Sequence, residues 1–246
     1  MSQAEIAYLE VGGRSIAYRL RRGNVPTIVF LPGYASDMEG AKALALDGFA
    51  EHNGMSMLRL DYSGTGSSSG DFEDGTLALW LDESLAAIDR LTTGPLVVVG
   101  SSMGGWIALH VVLQRPERVR ALVGIASAPD FTNWGFADRL KGRLSSGETL
   151  RRDTPGGEQV TTSAFWSSGQ QLLLLHGEIA LDCPVRLIHG QQDEDVPLDI
   201  AFRTMRAVRS ADVQTLVIKG GGHRLSEPHE IDAILCTVAG LLESAE

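Results

Sequence analysis

Gly100-Ser101-Ser102-Met103-Gly104 lies between an apolar run, residues 96–99, and a second apolar stretch that begins at Trp106 with helical spacing. A strand that must turn into a helix within so few residues holds its apex residue in a strained backbone conformation. It also presses neighbouring chain against both flanks, so glycine stands two residues before the apex and two after it. The apex here is Ser102. The pentapeptide therefore predicts a strand, a sharp turn and a helix, with an exposed serine hydroxyl placed to act as a nucleophile.

A second Gly, Ser, Gly spacing tests that reading. Gly66-Ser67-Ser68-Ser69-Gly70 also follows an apolar run, residues 55–60, but it leads into Asp71-Phe72-Glu73-Asp74-Gly75, an acidic turn. Without a helix N-terminus beneath it, Ser68 has nothing to stabilise a developing oxyanion, and it is read as a loop residue.

A serine nucleophile needs a base and a group that orients the base. Residues 184–189 have the pattern of a buried strand and run into Gly190-Gln191-Gln192-Asp193-Glu194-Asp195, a carboxylate-rich loop. A further strand pattern, residues 213–218, is followed by Gly220-Gly221-Gly222-His223. Asp193 is nearer the strand end than Asp195 and is the preferred acid. His223, on a loop that three glycines leave free to bend, is the preferred base. Of the other histidines, His52, His110 and His176 lie in helix-like stretches, His189 lies in a strand behind the site, and His229 stands at a helix start.

Continuous apolar strands alternate with helical segments through the rest of the chain, the pattern of a parallel sheet covered on both faces. An antiparallel hairpin around Gly12-Gly13 precedes it. Residues 130–184 break the rhythm. They are too long for an ordinary loop and carry Phe131, Trp134, Phe136, Phe165 and Trp166, so a small helical cap over the strand ends is expected. The division is then a core of residues 1–129 and 185–246 with the cap at 130–184. A locally basic stretch in the cap, Arg139, Lys141, Arg143, Arg151 and Arg152, is read chiefly as a solvated face, with contact to an anionic substrate as the sharper alternative.

With 246 residues and 43% hydrophobic content the chain can bury one large core. A net charge of −10 argues against nucleic acid or an anionic membrane as the main partner. Cys183 and Cys236 fit neither a disulfide framework nor metal-ligand spacing. No segment has the length of a membrane span and Met1-Ser2-Gln3-Ala4-Glu5 carries no leader pattern, so a reducing cytoplasm is the expected compartment. No metal or organic cofactor is called for. Composition says nothing of oligomeric state.

Backbone N–H groups are the expected oxyanion donors, since they need not reorganise as charge develops. One is the amide of Met103, at the helix start. The other is the amide of Tyr34, in the loop Pro32-Gly33-Tyr34 after the strand at residues 27–31, because proline has no donor.

Taken together, the elbow, the Ser, Asp, His order, the Pro-Gly-Tyr loop and the cap insertion resemble the α/β-hydrolase family across nearly the whole chain. Phe30-Leu31-Pro32-Gly33-Tyr34, Asp61-Tyr62-Ser63-Gly64-Thr65-Gly66-Ser67 and Gly100-Ser101-Ser102-Met103-Gly104-Gly105-Trp106 are similar to the mitochondrial acyl-glucuronide esterase and palmitoyl-protein thioesterase type within it. Where many members have His-Gly before the second oxyanion donor, this chain has Pro32-Gly33. The resemblance implies a mostly parallel sheet of about eight strands flanked by helices, with ester or thioester hydrolysis by Ser102, His223 and Asp193. A small-molecule or acylated substrate would have its acyl group selected by cap aromatics such as Trp134, Phe136 and Trp166. The same triad also serves serine peptidases and carbon–carbon bond hydrolases, and the fold serves ligand-binding modules with little turnover.

Overall fold

The computed structural model describes residues 4–154 and 157–243. The chain begins with β1 (Ala7–Val11) and β2 (Arg14–Arg21), an antiparallel hairpin, then β3 (Asn24–Leu31), α1 (Ala41–His52) and β4 (Met55–Leu60). Next come α2 (Leu77–Leu91), β5 (Leu96–Ser101), α3 (Met103–Gln114) and β6 (Val119–Ile125). The insertion follows, with α4 (Phe131–Trp134), α5 (Asp138–Ser145), β7 (Leu150–Thr154), β8 (Gly157–Thr161) and α6 (Ser163–Gln171). The core resumes with β9 (Val185–Gly190), α7 (Leu198–Ala207), β10 (Val213–Ile218) and α8 (Pro228–Glu243).

Eight strands form one sheet in the order β1-β2-β4-β3-β5-β6-β9-β10. From β4 to β10 every neighbouring pair is parallel, and β2 meets β4 antiparallel. The central strand β5 is buried along its whole length, as a continuous apolar run covered on both faces must be. On one face α2 and α3 bury Trp80, Leu85, Trp106 and Val111 against the sheet, and on the other α1 and α8 bury Leu46, Ala50, Ile234 and Val238. Each fully buried aliphatic side chain contributes roughly 1.5–3 kcal/mol, and these two layers fix the strand ends from which the functional loops emerge.

The insertion departs from a purely helical cap. β7 and β8 form a two-stranded antiparallel hairpin, with Arg151 opposite Val160 and Arg152 opposite Gln159. Its strands are held by polar pairs, Arg151 to Glu158 at 2.8 Å and Arg152 to Gln159 at 2.8 Å. They carry no apolar alternation, which is the signal that reveals a half-buried strand in a sequence. The basic stretch is largely neutralised as well. Arg143 pairs with Glu148, Lys141 with Asp138, and Arg151 with both Glu73 and Glu158. His176 lies in a turn beyond α6 rather than in a helix.

Candidate active site

β5 ends at Ser101 and α3 starts at Met103, and Ser102 between them has φ 53° and ψ −120°, a conformation L residues seldom adopt. The turn is held by its own backbone: the Ser102 amide donates to Ile125 O at 2.9 Å, and its carbonyl accepts from Gly105 N at 2.9 Å and Ala128 N at 3.0 Å. The flanking glycines are required by contact. A methyl group on Gly100 would lie 2.2 Å from Gly104 O, and one on Gly104 would lie 2.1 Å from Leu31 O.

The parallel β9 and β10 bring the other two residues to the same edge. Asp193 follows β9, and His223 follows β10. His223 Nδ1 is 2.8 Å from Asp193 Oδ2, and its Nε2 is 3.1 Å from Ser102 Oγ. The Asp193 side chain is inaccessible to solvent, and its Oδ1 accepts from the amides of Asp195 at 3.0 Å and Val196 at 2.8 Å. Burial by itself would raise this carboxyl. The bond from His223, the Val196 amide and the nearby imidazoles more than offset burial and hold it below the ordinary carboxylate range. Asp195 contributes its backbone to that turn. His189 is buried behind it, with Nε2 2.9 Å from Val196 O and 3.4 Å from Asp193 Oδ2. Among the described residues, the one group of clustered potential metal donors is Asp193, Asp195 and His223, and it contains this same hydrogen-bonded pair.

Ser68 has a different task. Its hydroxyl donates to Asp61 O at 2.7 Å and accepts from Ala17 N at 2.8 Å, while Ser69 Oγ accepts from Ser15 N at 2.8 Å. The serine-rich loop is a clasp between β2 and the end of β4.

The amides of Tyr34 and Met103, the expected oxyanion donors, have no protein acceptor among the described residues. Met103 is the first residue of α3, where N–H groups have no intrahelical partner. Tyr34 lies in a tight turn closed by Ser36 N donating to Gly33 O at 3.2 Å. Gly33 C=O and Tyr34 N–H share one peptide plane and point oppositely, so a carbonyl turned inward aims the amide outward. The turn lies against the nucleophile, since a methyl group on Gly33 would sit 3.3 Å from Ser102 Cβ.

Aromatic residues of the body and the insertion gather around Tyr34. The Tyr34 ring packs with Phe72 and Trp80 of the body and with Phe131 and Phe165 of the insertion, at centroid distances of 5.1, 6.0, 6.0 and 4.7 Å. Phe131 also meets Trp106 edge-on at 5.7 Å. Phe165 is set by α6, whose N-cap Thr162 accepts from the Phe165 amide at 3.1 Å. Trp134, Phe136 and Trp166 take part in none of the ring contacts among the described residues. Two of them brace the insertion: Trp134 Nε1 donates to Pro129 O at 2.7 Å and Trp166 Nε1 to Thr132 O at 2.9 Å. Phe131 joins the ring cluster around Tyr34 together with Phe165, and Trp134 packs with Phe131 against Ala128, Val196 and Ile200. The insertion's return is fastened by Asp130, which accepts from Leu174 N at 2.8 Å and Leu175 N at 2.7 Å, and by Trp106 Nε1 donating to Leu172 O at 3.0 Å.

The chain matches the alpha/beta hydrolase fold family over residues 26–147. It is 36% identical over 238 residues to the mitochondrial palmitoyl-protein thioesterase ABHD10 of Homo sapiens, covering 93% of this chain and 77% of that protein. It is 30% identical over 237 residues to a pimeloyl-[acyl-carrier protein] methyl ester esterase of Xanthomonas campestris, covering 82% and 89%. Among solved structures, mouse alpha/beta hydrolase domain-containing protein 10 superposes with a TM-score of 0.92 at 34% identity, over 99% of this chain and 100% of that one. A putative hydrolase from Agrobacterium vitis gives 0.89 at 34% identity, over 97% and 98%. The ABHD10 relatives are named as mitochondrial, so the cytoplasmic expectation gains no support from them. No helix among the described residues is long and apolar enough to cross a membrane.

Proposed function

This chain belongs to the α/β-hydrolase family and is an ester or thioester hydrolase, and from that premise we propose that it works through an acyl-enzyme on Ser102. In this reading His223 Nε2 takes the proton of Ser102 Oγ as the oxygen attacks the acyl carbon. Asp193 keeps Nδ1 protonated and stabilises the imidazolium that forms. The amides of Tyr34 and Met103 receive the oxyanion, and His223 then delivers the proton to the leaving oxygen or sulfur. Water enters by the same route in reverse and frees the acid.

The observation that carries the reading is the continuous chain from Asp193 to His223 to Ser102, with links of 2.8 and 3.1 Å, ending at a serine held in a strained turn. The substrate class we propose is an ester or thioester of an apolar acyl group, received against Phe131 and Phe165. The aromatic cluster packed beside α3 supports it, and so do the palmitoyl and pimeloyl names of the relatives. Labelling with a fluorophosphonate tests the nucleophile: wild type should label and turn over p-nitrophenyl esters, and Ser102→Ala should do neither. A wild-type protein inert to the probe would restore the ligand-binding module as the better account.

A further inference from the structure

In the mechanism proposed above Tyr34 serves through its backbone amide, while its side chain packs between the body and the insertion. The hydroxyl donates to Val160 O of β8 at 2.5 Å, across a sequence separation of 126 residues. The ring lies between two aromatics of the body, Phe72 and Trp80, and two of the insertion, Phe131 and Phe165. The hairpin has a second tether nearby, Arg151 Nη2 to Glu73 Oε1 at 2.5 Å, and Glu73 stands beside Phe72 in the short turn Phe72–Asp74. The residue proposed above as an oxyanion donor is therefore the one that the insertion grips.

We propose that the Tyr34 hydroxyl is a positioning group that couples the seating of the β7–β8 hairpin to the aim of the Tyr34 amide, so that the oxyanion donors are complete only when the insertion is in place. The inference rests on the Ser102 mechanism above. Its physical basis is short. Ser36 N to Gly33 O fixes one side of the Tyr34 peptide plane, and no other hydrogen bond among the described residues holds that amide. Tyr62 Oη anchors the preceding carbonyl, Pro32 O, at 3.1 Å, and on the other side the Tyr34 side chain holds the plane through the ring contacts and the bond to Val160 O. Oxyanion stabilisation depends steeply on donor geometry, and a displacement of about 1 Å can cost on the order of a hundredfold in rate. Acyl groups that settle under the insertion would thus be joined to a completed site, and an unseated insertion would leave Ser102 with one well-aimed donor.

The test is Tyr34→Phe in the full chain, with p-nitrophenyl acetate, whose acyl group is too short to reach the hairpin, and with phenylboronic acid, which places an oxyanion on the nucleophile. The substitution keeps the ring and the amide. The expected result is a fall in kcat of roughly ten- to a hundredfold with KM within about twofold, and a rise in the boronate Ki by a factor similar to the loss in kcat/KM. Arg151→Gln, which loosens the hairpin from Glu73 and leaves Tyr34 intact, should give the same pattern at smaller size. It also decides the matter if Tyr34→Phe does not fold. Unchanged kcat, or a loss confined to KM or to the melting temperature, would overturn the coupling. Ser102→Ala run alongside separates the two levels: residual turnover there sinks the mechanism itself, whereas a silent Ser102→Ala beside a fully active Tyr34→Phe sinks only the coupling.

Discussion

Asp193→Asn replaces one oxygen by an amide nitrogen, and the surrounding bonds decide which one. Oδ1 of Asp193 accepts two backbone amides, from Asp195 at 3.0 Å and Val196 at 2.8 Å, and an NH2 group cannot take that place without facing two donors. The asparagine oxygen is therefore forced to that side, and its NH2 points at His223 Nδ1, 2.8 Å away in the native pair. To avoid a donor facing a donor the imidazole moves its proton to Nε2, where it meets the Ser102 hydroxyl and can no longer take a proton from it. A wrong tautomer in such a triad costs about 10⁴ in kcat, or about 5.4 kcal/mol of transition-state stabilisation at 1.36 kcal/mol per decade. Asp195→Asn keeps the backbone amide that Asp193 uses and should lower kcat less than about tenfold. Steady-state kinetics with an activated ester reads both, and comparable losses in the two variants, or a larger one at Asp195, would refute the argument. A linked effect on stability has a definite sign. The folded carboxyl is held below its ordinary value, so its contribution is present above the ordinary carboxylate range and is lost as pH falls through the depressed value. Acid melts of wild type should show that loss, and those of Asp193→Asn should lack it.

How far a sequence discloses such a site depends on how local the constraint is. The elbow is legible because its two glycines record contacts within one turn, Gly100 against Gly104 O and Gly104 against Leu31 O. Asp193 and His223 are legible because parallel strands of a buried sheet deliver their C-terminal loops to one edge, and apolar runs mark those strands. The choice between Asp193 and Asp195 follows from distance to the strand end, and the structure adds a reason no spacing could give: the Asp195 amide is itself a donor to Asp193. The insertion is the opposite case. The Tyr34 hydroxyl reaches Val160 over 126 residues, and the Asp130 carboxylate reaches Leu174 and Leu175 over 44 and 45. Contacts of that reach leave no period behind. The β7–β8 hairpin is closed by arginine, glutamate and glutamine, so it read as a basic surface rather than as a strand pair. The aromatics of residues 130–184 were visible as composition, but their division into bracing indoles and a ring cluster around Tyr34 depends on the packing.

Ser68→Ala removes a hydroxyl that bonds Asp61 O and Ala17 N, so it should lower stability by about 1–3 kcal/mol in a denaturant titration while kcat stays near wild type; lost turnover would return Ser68 to the site. Burial pushes the Cys183 thiol up from 9.0 to about 11, which means the unfolded chain ionises first. This contribution to stability is intact below pH about 9 and is lost between there and about 11, and Cys183→Ala should flatten that part of the alkaline melting profile. The last prediction divides the insertion's aromatics by task. Phe131 and Phe165 pack on Tyr34 and Phe131 touches Trp106, three residues beyond Met103 at the start of α3, whereas Trp134 and Trp166 spend their indole N–H groups on Pro129 O and Thr132 O. Each methylene withdrawn from water is worth about 0.8 kcal/mol, nearly fourfold in kcat/KM, so a lining that receives the acyl chain should give a rising profile from acetyl to octanoyl esters. Phe131→Ala should flatten that rise without lowering the rate for acetyl esters in proportion, because a short acyl group never reaches the missing ring. Trp134→Ala and Trp166→Ala should instead lower the melting temperature and keep the slope. A slope lost in the two tryptophan variants and kept in Phe131→Ala would assign the acyl contact to the indoles and make the phenylalanines mere packing.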